Sequence, residues 1–252
     1  MTTTEIFEIG SIRRLPLETS YNNVVADVHQ LLRRCPAGTE LVIDGTGIGK
    51  AICDMFRFQG ITPWCVTATS GLDQTINYGA RTANVPKLML VSRLQSILFE
   101  QRLKVSAQLE EATAFLEELR DFRVEYSASA HMTYNAKSGK HDDMVSAATV
   151  AAWRLSDGAG GWGPPSEYLA AVVLGLRDKP ARPVPWVVGV DLGKVNDPTA
   201  IVVMRRVTKD LATPAKRDSA QKVVHINGPL CRPTYAIGSV EWQRARGKGN
   251  AD

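Results

Sequence analysis

Two strand ends and one helix start carry aspartates that a fold can bring together. Asp142 and Asp143 come directly before residues 144–153, where apolar side chains recur at helical spacing without Gly or Pro, so the pair opens a predicted helix. Asp44 and Asp191 each end a short, β-branched run that leads into a glycine-containing turn, which is typical of a buried parallel strand. Ligands of α/β sheets collect at the carboxyl ends of strands, so we expect these carboxylates to converge there. Converging carboxylates repel one another unless they hold a cation, and oxygen ligands of this kind suit Mg²⁺ or Mn²⁺.

The adjacent pair Asp142 and Asp143 has a second role open to it. A carboxylate at a helix start accepts hydrogen bonds from free backbone N–H groups, and its charge is favourable beside the helix dipole. Capping is the usual role of an isolated Asp-Asp pair. The presence of Asp44 and Asp191 at strand ends favours metal binding here.

The glycine-containing turn that follows Asp44 resembles a phosphate-binding loop, but it does not match one. A P-loop has Gly five positions before its Gly-Lys pair and Ser or Thr directly after it, whereas this chain has Asp44 and Ala51 there. The dinucleotide pattern fails too, because Lys50 stands where its last glycine is required. We expect the small residues of this turn to leave room for a backbone or a substrate near Asp44, with a plain tight turn as the alternative.

Composition predicts an ordinary globular chain. Its 252 residues are 44% hydrophobic and 22% charged, with a net charge of +4 that permits a polyanionic partner without requiring one. The four cysteines lack C-x-x-C spacing, which argues against a zinc site or a disulfide framework. The N-terminus has no signal-peptide pattern and no apolar run is long enough to span a bilayer, so we expect a cytoplasmic protein without membrane partners.

Hydrophobic periodicity and turn residues predict alternating strands and helices. Predicted strands cover 5–14, 41–44, 61–68, 103–105, 185–191, 200–207, 223–226 and 234–242, and predicted helices cover 21–34, about 49–59, 88–102, 110–122 and 142–153. Residues 69–86 read as a loop, either substrate-facing or a connector, and 125–140 read as a polar segment. Residues 156–185 form a Gly/Pro-rich linker around one short apolar helix, and 244–252 form a basic tail predicted to be disordered.

Several of these motifs together resemble the nuclease domain of phage terminase large subunits, a family with an RNase H-like fold. The resemblance rests on residues 188–193, 196–201, 41–49, 103–105 and 139–145, and it covers nearly all of 5–153 and 186–242. It implies an RNase H-like mixed five-stranded sheet flanked by helices. It also implies a divalent-metal-dependent endonuclease that hydrolyses double-stranded DNA with little sequence specificity during viral genome packaging.

The resemblance assigns the four aspartates as catalytic metal ligands. Asp191 and Asp44 would lie side by side, because the first and fourth strands of such a sheet are neighbours, with the helix of Asp142 and Asp143 covering them. Two Mg²⁺ or Mn²⁺ ions would be held there. Within the 142–143 pair, one aspartate binds metal and the other caps the helix or supports the ligand; the sequence does not separate them.

The order of the motifs differs from that of the family. There, the strand of the first aspartate comes first, followed by two strands, a helix, the strand of the second aspartate and the His-Asp-Asp helix; here the first three strands come after the linker. The chain therefore resembles a circular permutant, with a core in 1–155, a linker in 156–185, the first three strands in 186–243 and a tail in 244–252. Residues 7–13 and 235–241 are near copies, as if the third strand were kept at both ends. We expect the C-terminal strands to dock on their own chain, with a strand-swapped homodimer as the alternative.

Basic residues near these motifs are candidate contacts for DNA phosphates, with solvated surface positions as the alternative. They are Lys50, Arg81, Lys87, Lys137, Lys140 and Lys194. The family's packaging partners, an ATPase motor and the portal, are implied as partners in the host cytoplasm. No Walker A motif occurs, so no ATPase activity is expected of this chain.

Three other functions remain open at the level of sequence. Sugar kinases and Hsp70-like ATPases share an Asp-Leu-Gly strand, but their pattern has further glycine-rich phosphate motifs and lacks His-Asp-Asp at a helix start. A resolvase-like nuclease would act as a dimer on branched DNA. An inactive, permuted domain that binds only DNA or a packaging partner is the non-enzymatic alternative.

Overall fold

The computed structural model describes residues 3–126, 132–136, 142–157, 186–193, 197–210 and 235–236. In chain order the elements are β1 (Thr3–Arg14), α1 (Tyr21–Leu32), β2 (Glu40–Asp44), α2 (Gly49–Phe58), β3 (Trp64–Thr69), β4 (Thr75–Asn77), β5 (Thr82–Pro86), α3 (Lys87–Phe99), β6 (Leu103–Val105), α4 (Ala112–Asp121), β7 (Phe122–Tyr126), β8 (Met132–Ala136), α5 (Asp143–Asp157), β9 (Trp186–Asp191), β10 (Ala200–Asp210) and β11 (Tyr235–Ala236). The predicted linker, the predicted strand at 223–226 and the predicted basic tail lie outside the described residues, apart from the linker's first two positions.

The described strands form one mixed sheet and a separate β7-β8 hairpin. The sheet has nine strands in the order β11-β6-β1-β10-β9-β2-β3-β5-β4. β9 is antiparallel to β10, which is antiparallel to β1, whereas β9, β2, β3 and β5 run parallel. β9 and β10 therefore lie between β1 and β2 of the same chain, and the C-terminal strands dock on their own chain in this structure.

Alternating side chains of the central strands divide the core into two layers. In β2, Leu41 and Ile43 pack in a cluster with the apolar faces of α1 and α2, and Val42 packs in the opposite cluster with residues of α3, α4 and α5. Val24, Val25, Val28 and Leu31 form the buried face of α1, and Ser20 caps this helix by accepting a hydrogen bond from the Asn23 N–H at 3.3 Å. The predicted α/β class is confirmed.

Helix α5 packs closely against β9 because the residues of both elements at the contact are small. A Cβ atom at Gly189 of β9 would stand 2.2 Å from the carbonyl oxygen of Ala147 and 2.9 Å from the Cβ of Ala151. A side chain at this position would push the helix away. The glycine and the alanines thus determine how near the start of α5 lies to the end of β9.

Three predictions need correction. The predicted loop at 69–86 contains β4 and β5, whose polar Thr and Asn residues conceal a strand pattern at the sheet edge. The polar segment at 125–140 contains most of the β7-β8 hairpin. Of the two near copies of the third strand, β1 pairs with β10, while the described part of the other copy, β11, pairs with β6 at the far edge. The described sheet is accordingly wider than the five strands predicted.

Candidate carboxylate site

The site begins with two aspartates on adjacent parallel strands. Ile43 of β2 pairs with Val190 of β9, so the next residues, Asp44 and Asp191, stand beside each other where both strands end. Side chains of a strand alternate between faces. Because Ile43 and Val190 belong to the α1-α2 layer, Asp44 and Asp191 are directed to the face that α5 covers.

The acidic start of α5 completes the group. The pKa of Asp191 is raised well above the ordinary aspartate value, first by burial and then by the negative charges of Asp44, Asp142 and Asp143. Each of these charges acts on Asp191 only because it is near. Asp44, Asp142 and Asp143 therefore all lie near enough to Asp191 for their charges to act on it.

Asp143 has a basic partner that sequence analysis missed. The Nε of Arg14 donates to its Oδ2 at 2.8 Å and the Nη2 donates to its Oδ1 at 3.2 Å. Arg14 also pairs with Glu118 of α4. The signal in the sequence was weak, since an arginine that ends a strand is ordinarily an exposed residue.

Glu118 is a buried acidic residue of α4 that the sequence analysis did not single out. It is 7% exposed, and its Oε2 accepts the backbone N–H groups of Met144 at 3.1 Å and Val145 at 3.2 Å. A side chain from α4 thereby supplies acceptors for the first turn of α5, whose N–H groups have no partner within the helix. Only the packing of α4 beside α5 places Glu118 there.

The turn after Asp44 is held by its own small residues. Asp44 Oδ1 accepts the backbone N–H of Thr46 at 2.8 Å, and α2 begins at Gly49. A Cβ atom at Gly49 would stand 1.9 Å from the carbonyl oxygen of Asp44, so the backbone that needs room here is that of Asp44 itself. The glycine turn fixes the strand end that carries this carboxylate.

The chemistry of the donors fits a hard divalent cation, because the converging groups are carboxylates in excess over the one guanidinium beside them. Their spacing does not form a ready ligand set, however. Across the described ranges, no three His, Cys, Asp or Glu side chains lie close enough to hold one metal ion. Arg14, not a third carboxylate, is the group in direct contact with Asp143.

The predicted DNA contacts are distributed unevenly. Lys50 is exposed at the start of α2 and Lys87 begins α3, both just after the carboxyl ends of parallel strands. Arg81 lies instead near the other end of β2, with its Nη1 3.8 Å from Glu40 and hydrogen bonded to the carbonyl of Thr62. Lys137, Lys140 and Lys194 lie outside the described residues.

No protein-family model matches this chain, and no curated protein matches it. Among solved structures, the chain is similar to the crystal structure of the large terminase nuclease from thermophilic phage G20c with bound magnesium. The two are 22% identical, with a TM-score of 0.41, over 59% of this chain and 81% of that one. No helix in the described segments is long and apolar enough to cross a membrane.

Proposed function

We propose that this chain is a divalent-metal-dependent endonuclease of the phage terminase type, which hydrolyses double-stranded DNA with little sequence specificity during viral genome packaging. The observation that carries the proposal is the convergence of Asp44 and Asp191, on adjacent parallel strand ends, with the Asp142-Asp143 start of α5. Such a concentration of negative charge is costly unless a cation offsets it.

The connectivity of the strands supports an RNase H-like fold with a circularly permuted order. Read from β9, the chain passes through β10 and then, after the permuted junction, through β1, α1, β2 and finally α5. This is the order in which the terminase nucleases carry the first aspartate, two more strands, a helix, the second aspartate and the His-Asp-Asp helix. The adjacency of β9 and β2 likewise agrees with the adjacency of the first and fourth strands in that fold.

The aspartates would hold Mg²⁺ or Mn²⁺, and we propose two ions, as the resemblance to terminase nucleases implies. The chemistry supplied at such a site is activation of water for in-line attack on a phosphodiester and stabilisation of the leaving oxygen. Asp44 and Asp191 are proposed as ligands contributed by the sheet, with the third from Asp142 or Asp143. The close packing of α5 on Gly189 keeps these groups at a fixed distance from the strand ends.

Lys50 and Lys87 are proposed to contact DNA phosphates, together with Lys137, Lys140 and Lys194. Phosphate contacts carry no sequence information directly, so binding should be unspecific and should weaken as salt is raised. Arg81 is left out of this surface because of its place near Glu40 at the other end of β2. A packaging ATPase motor and the portal, in the host cytoplasm, are proposed as partners of this chain.

The test is cleavage of supercoiled plasmid with Mn²⁺, Mg²⁺ or EDTA, using the wild type, Asp44→Ala and Asp191→Ala. Both variants should lose more than the roughly 100-fold that loss of an outer-shell partner costs. Asp54→Ala is the matched control, since Asp54 lies on α2 and forms an exposed ion pair with Arg57. It should cut like the wild type.

Two results would overturn the proposal. One is a folded wild type that cuts nothing with either metal, in which case the DNA-binding module without catalysis takes its place. The other is an Asp191→Ala variant that cuts as fast as the wild type, because the N-terminal and C-terminal parts would then not share one active site.

A further inference from the structure

Arg14 is the last residue of β1, and it lies at the same end of the sheet as the strand ends that carry Asp44 and Asp191. It pairs with Ala200 of β10, and Ala200 pairs with Asp191 of β9. Arg14 thus stands two strands from Asp191, and Ile12, two positions before it, lies in the core layer of α5. Its side chain is 22% exposed and reaches two carboxylates on different helices.

We propose that Arg14 and Glu118 are positioning residues, which hold Asp143 and the start of α5 against the strand ends. This inference rests on the nuclease function proposed above and names residues that act through the carboxylate site. Neither residue needs to touch the scissile phosphate for this role.

The three groups form a closed arrangement with one cation and two anions. Arg14 binds Asp143 through two N–H groups, a fork geometry that fixes direction as well as distance. Glu118 binds the first turn of α5 through Met144 and Val145. Because Arg14 also pairs with Glu118, one guanidinium ties the carboxylate and the helix start to the end of β1.

Electrostatics explains why a positive charge is needed. Asp143 is 3% exposed and Glu118 is 7% exposed, and both lie near the start of α5. Asp143 also adds to the negative charge that acts on Asp191. Without Arg14, these two buried carboxylates would lose the counter-charge that the described residues give them, and the helix start would have to move or admit water to separate them.

A second anchor lies further along the helix. Gly189 sets the distance of α5 from the sheet near Ala147 and Ala151, whereas Glu118 and Arg14 hold its first turn. The glycine contact alone leaves the direction of the Asp143 side chain open. The Arg14 fork supplies that direction.

The experiment compares Arg14→Lys and Glu118→Gln with the wild type in the full-length protein. The lysine keeps the charge but loses the two-pronged geometry; the glutamine keeps an acceptor for α5 but loses the charge that pairs with Arg14. We would measure kcat and KM for plasmid cleavage, the dissociation constant of Mn²⁺ by electron paramagnetic resonance, and Tm. Arg13→Met is the control, because Arg13 is half-exposed and its partner, at 3.8 Å, is Asp27 on α1.

For both variants, we expect kcat to fall about 10-fold to 100-fold and Mn²⁺ to bind about 10-fold more weakly, with the KM for DNA within about threefold of wild type. Arg13→Met should leave kcat and Mn²⁺ binding unchanged. A purely structural role would lower Tm without changing kcat or Mn²⁺ binding in the protein that remains folded, and that result would overturn the inference.

The outcomes also separate this inference from the function on which it rests. If the wild type neither binds Mn²⁺ nor cuts DNA, the proposed function fails and takes the positioning role with it. If the wild type does both, and Arg14→Lys and Glu118→Gln equal it, only the positioning role is wrong.

Discussion

The two ends of α5 both carry buried charge, but they balance it differently. Near the C-terminal end, Arg154 pairs with Glu40 at 2.6 Å, and its guanidinium lies 4.8 Å from the ring centre of Trp64. Arg81 stands 3.8 Å from the same carboxylate, so the negative charge of Glu40 is matched by neighbouring positive charge. Among the described residues at the N-terminal end, one arginine, Arg14, stands near five carboxylates, which are Asp44, Asp142, Asp143, Asp191 and Glu118. Matched charges near the C-terminal end stabilise the fold, whereas the excess of carboxylates among the described residues at the other end is costly to it and supports the proposed cation site.

Breaking the matched charges near the C-terminal end of α5 should have the largest effect on stability. Arg154→Met removes the nearer basic partner of Glu40, a carboxylate whose side chain is only 13% exposed, and leaves only the more distant Arg81 at 3.8 Å among the ion pairs described. Loss of one partner from a mostly buried pair is expected to cost about 2–3 kcal/mol, which lowers the Tm of a chain of this size by roughly 5–10 °C.

Calorimetry of wild type and Arg154→Met measures this loss, with Arg57→Met as the control for an exposed ion pair, expected to cost less than about 1 kcal/mol. DNA cleavage well below the Tm should stay near wild type. A variant that keeps its Tm but loses cleavage would remove the distinction between the two ends.

Removing a negative charge at the N-terminal end of α5 should instead raise the free energy of unfolding. Asp191→Asn keeps the shape of the side chain and removes a charge that is disfavoured by burial and by three neighbouring aspartates. In EDTA at pH 8, we expect a gain of about 1 kcal/mol in the free energy of unfolding, seen as a rise in Tm of roughly 2–4 °C, together with loss of cleavage when metal is supplied. A lower Tm in EDTA would show that the carboxylates do not repel one another.

The smallest effect is a pH dependence with a defined direction. Because the folded pKa of Asp191 is raised, the folded chain keeps a proton that the unfolded chain has already released, between the ordinary aspartate pKa and the raised value. The unfolded state binds fewer protons in this window, so stability falls as pH rises through it.

Asp191→Asn lacks this contribution. The difference in Tm between Asp191→Asn and wild type in EDTA should therefore be close to zero at pH 4 and widen towards pH 8. A Tm difference that stays constant from pH 4 to pH 8 would show that the raised pKa of Asp191 does not cause the pH dependence of stability.

The sequence indicated the site more completely than the fold around it. The runs that end at Asp44 and Asp191 are short and β-branched, and helical spacing after Asp143 is unbroken, so each element was predicted close to its observed limits. β4 and β5 were missed because they are short and rich in Thr and Asn, so that β4 at the sheet edge has no apolar pattern and β5 has only Ala83 and Val85 in the core. Glu118 was missed because α4 has a mostly polar face, and the pattern does not show which acidic residue meets another helix.

Local pattern by itself determined which residues form strands and helices and which aspartates stand at their ends, because these depend on spacing along the chain. Spacing along the chain does not determine that β9 and β10 insert between β1 and β2, which only the family resemblance implied. This strand pairing joins residues almost 200 positions apart, as Arg205 and Glu8 show at a sequence separation of 197. Tertiary structure alone decided that Arg14 and Glu118 meet at Asp143. Which cation pairs with a buried carboxylate depends on their distance in the folded chain, and the local sequence around one partner does not predict the other.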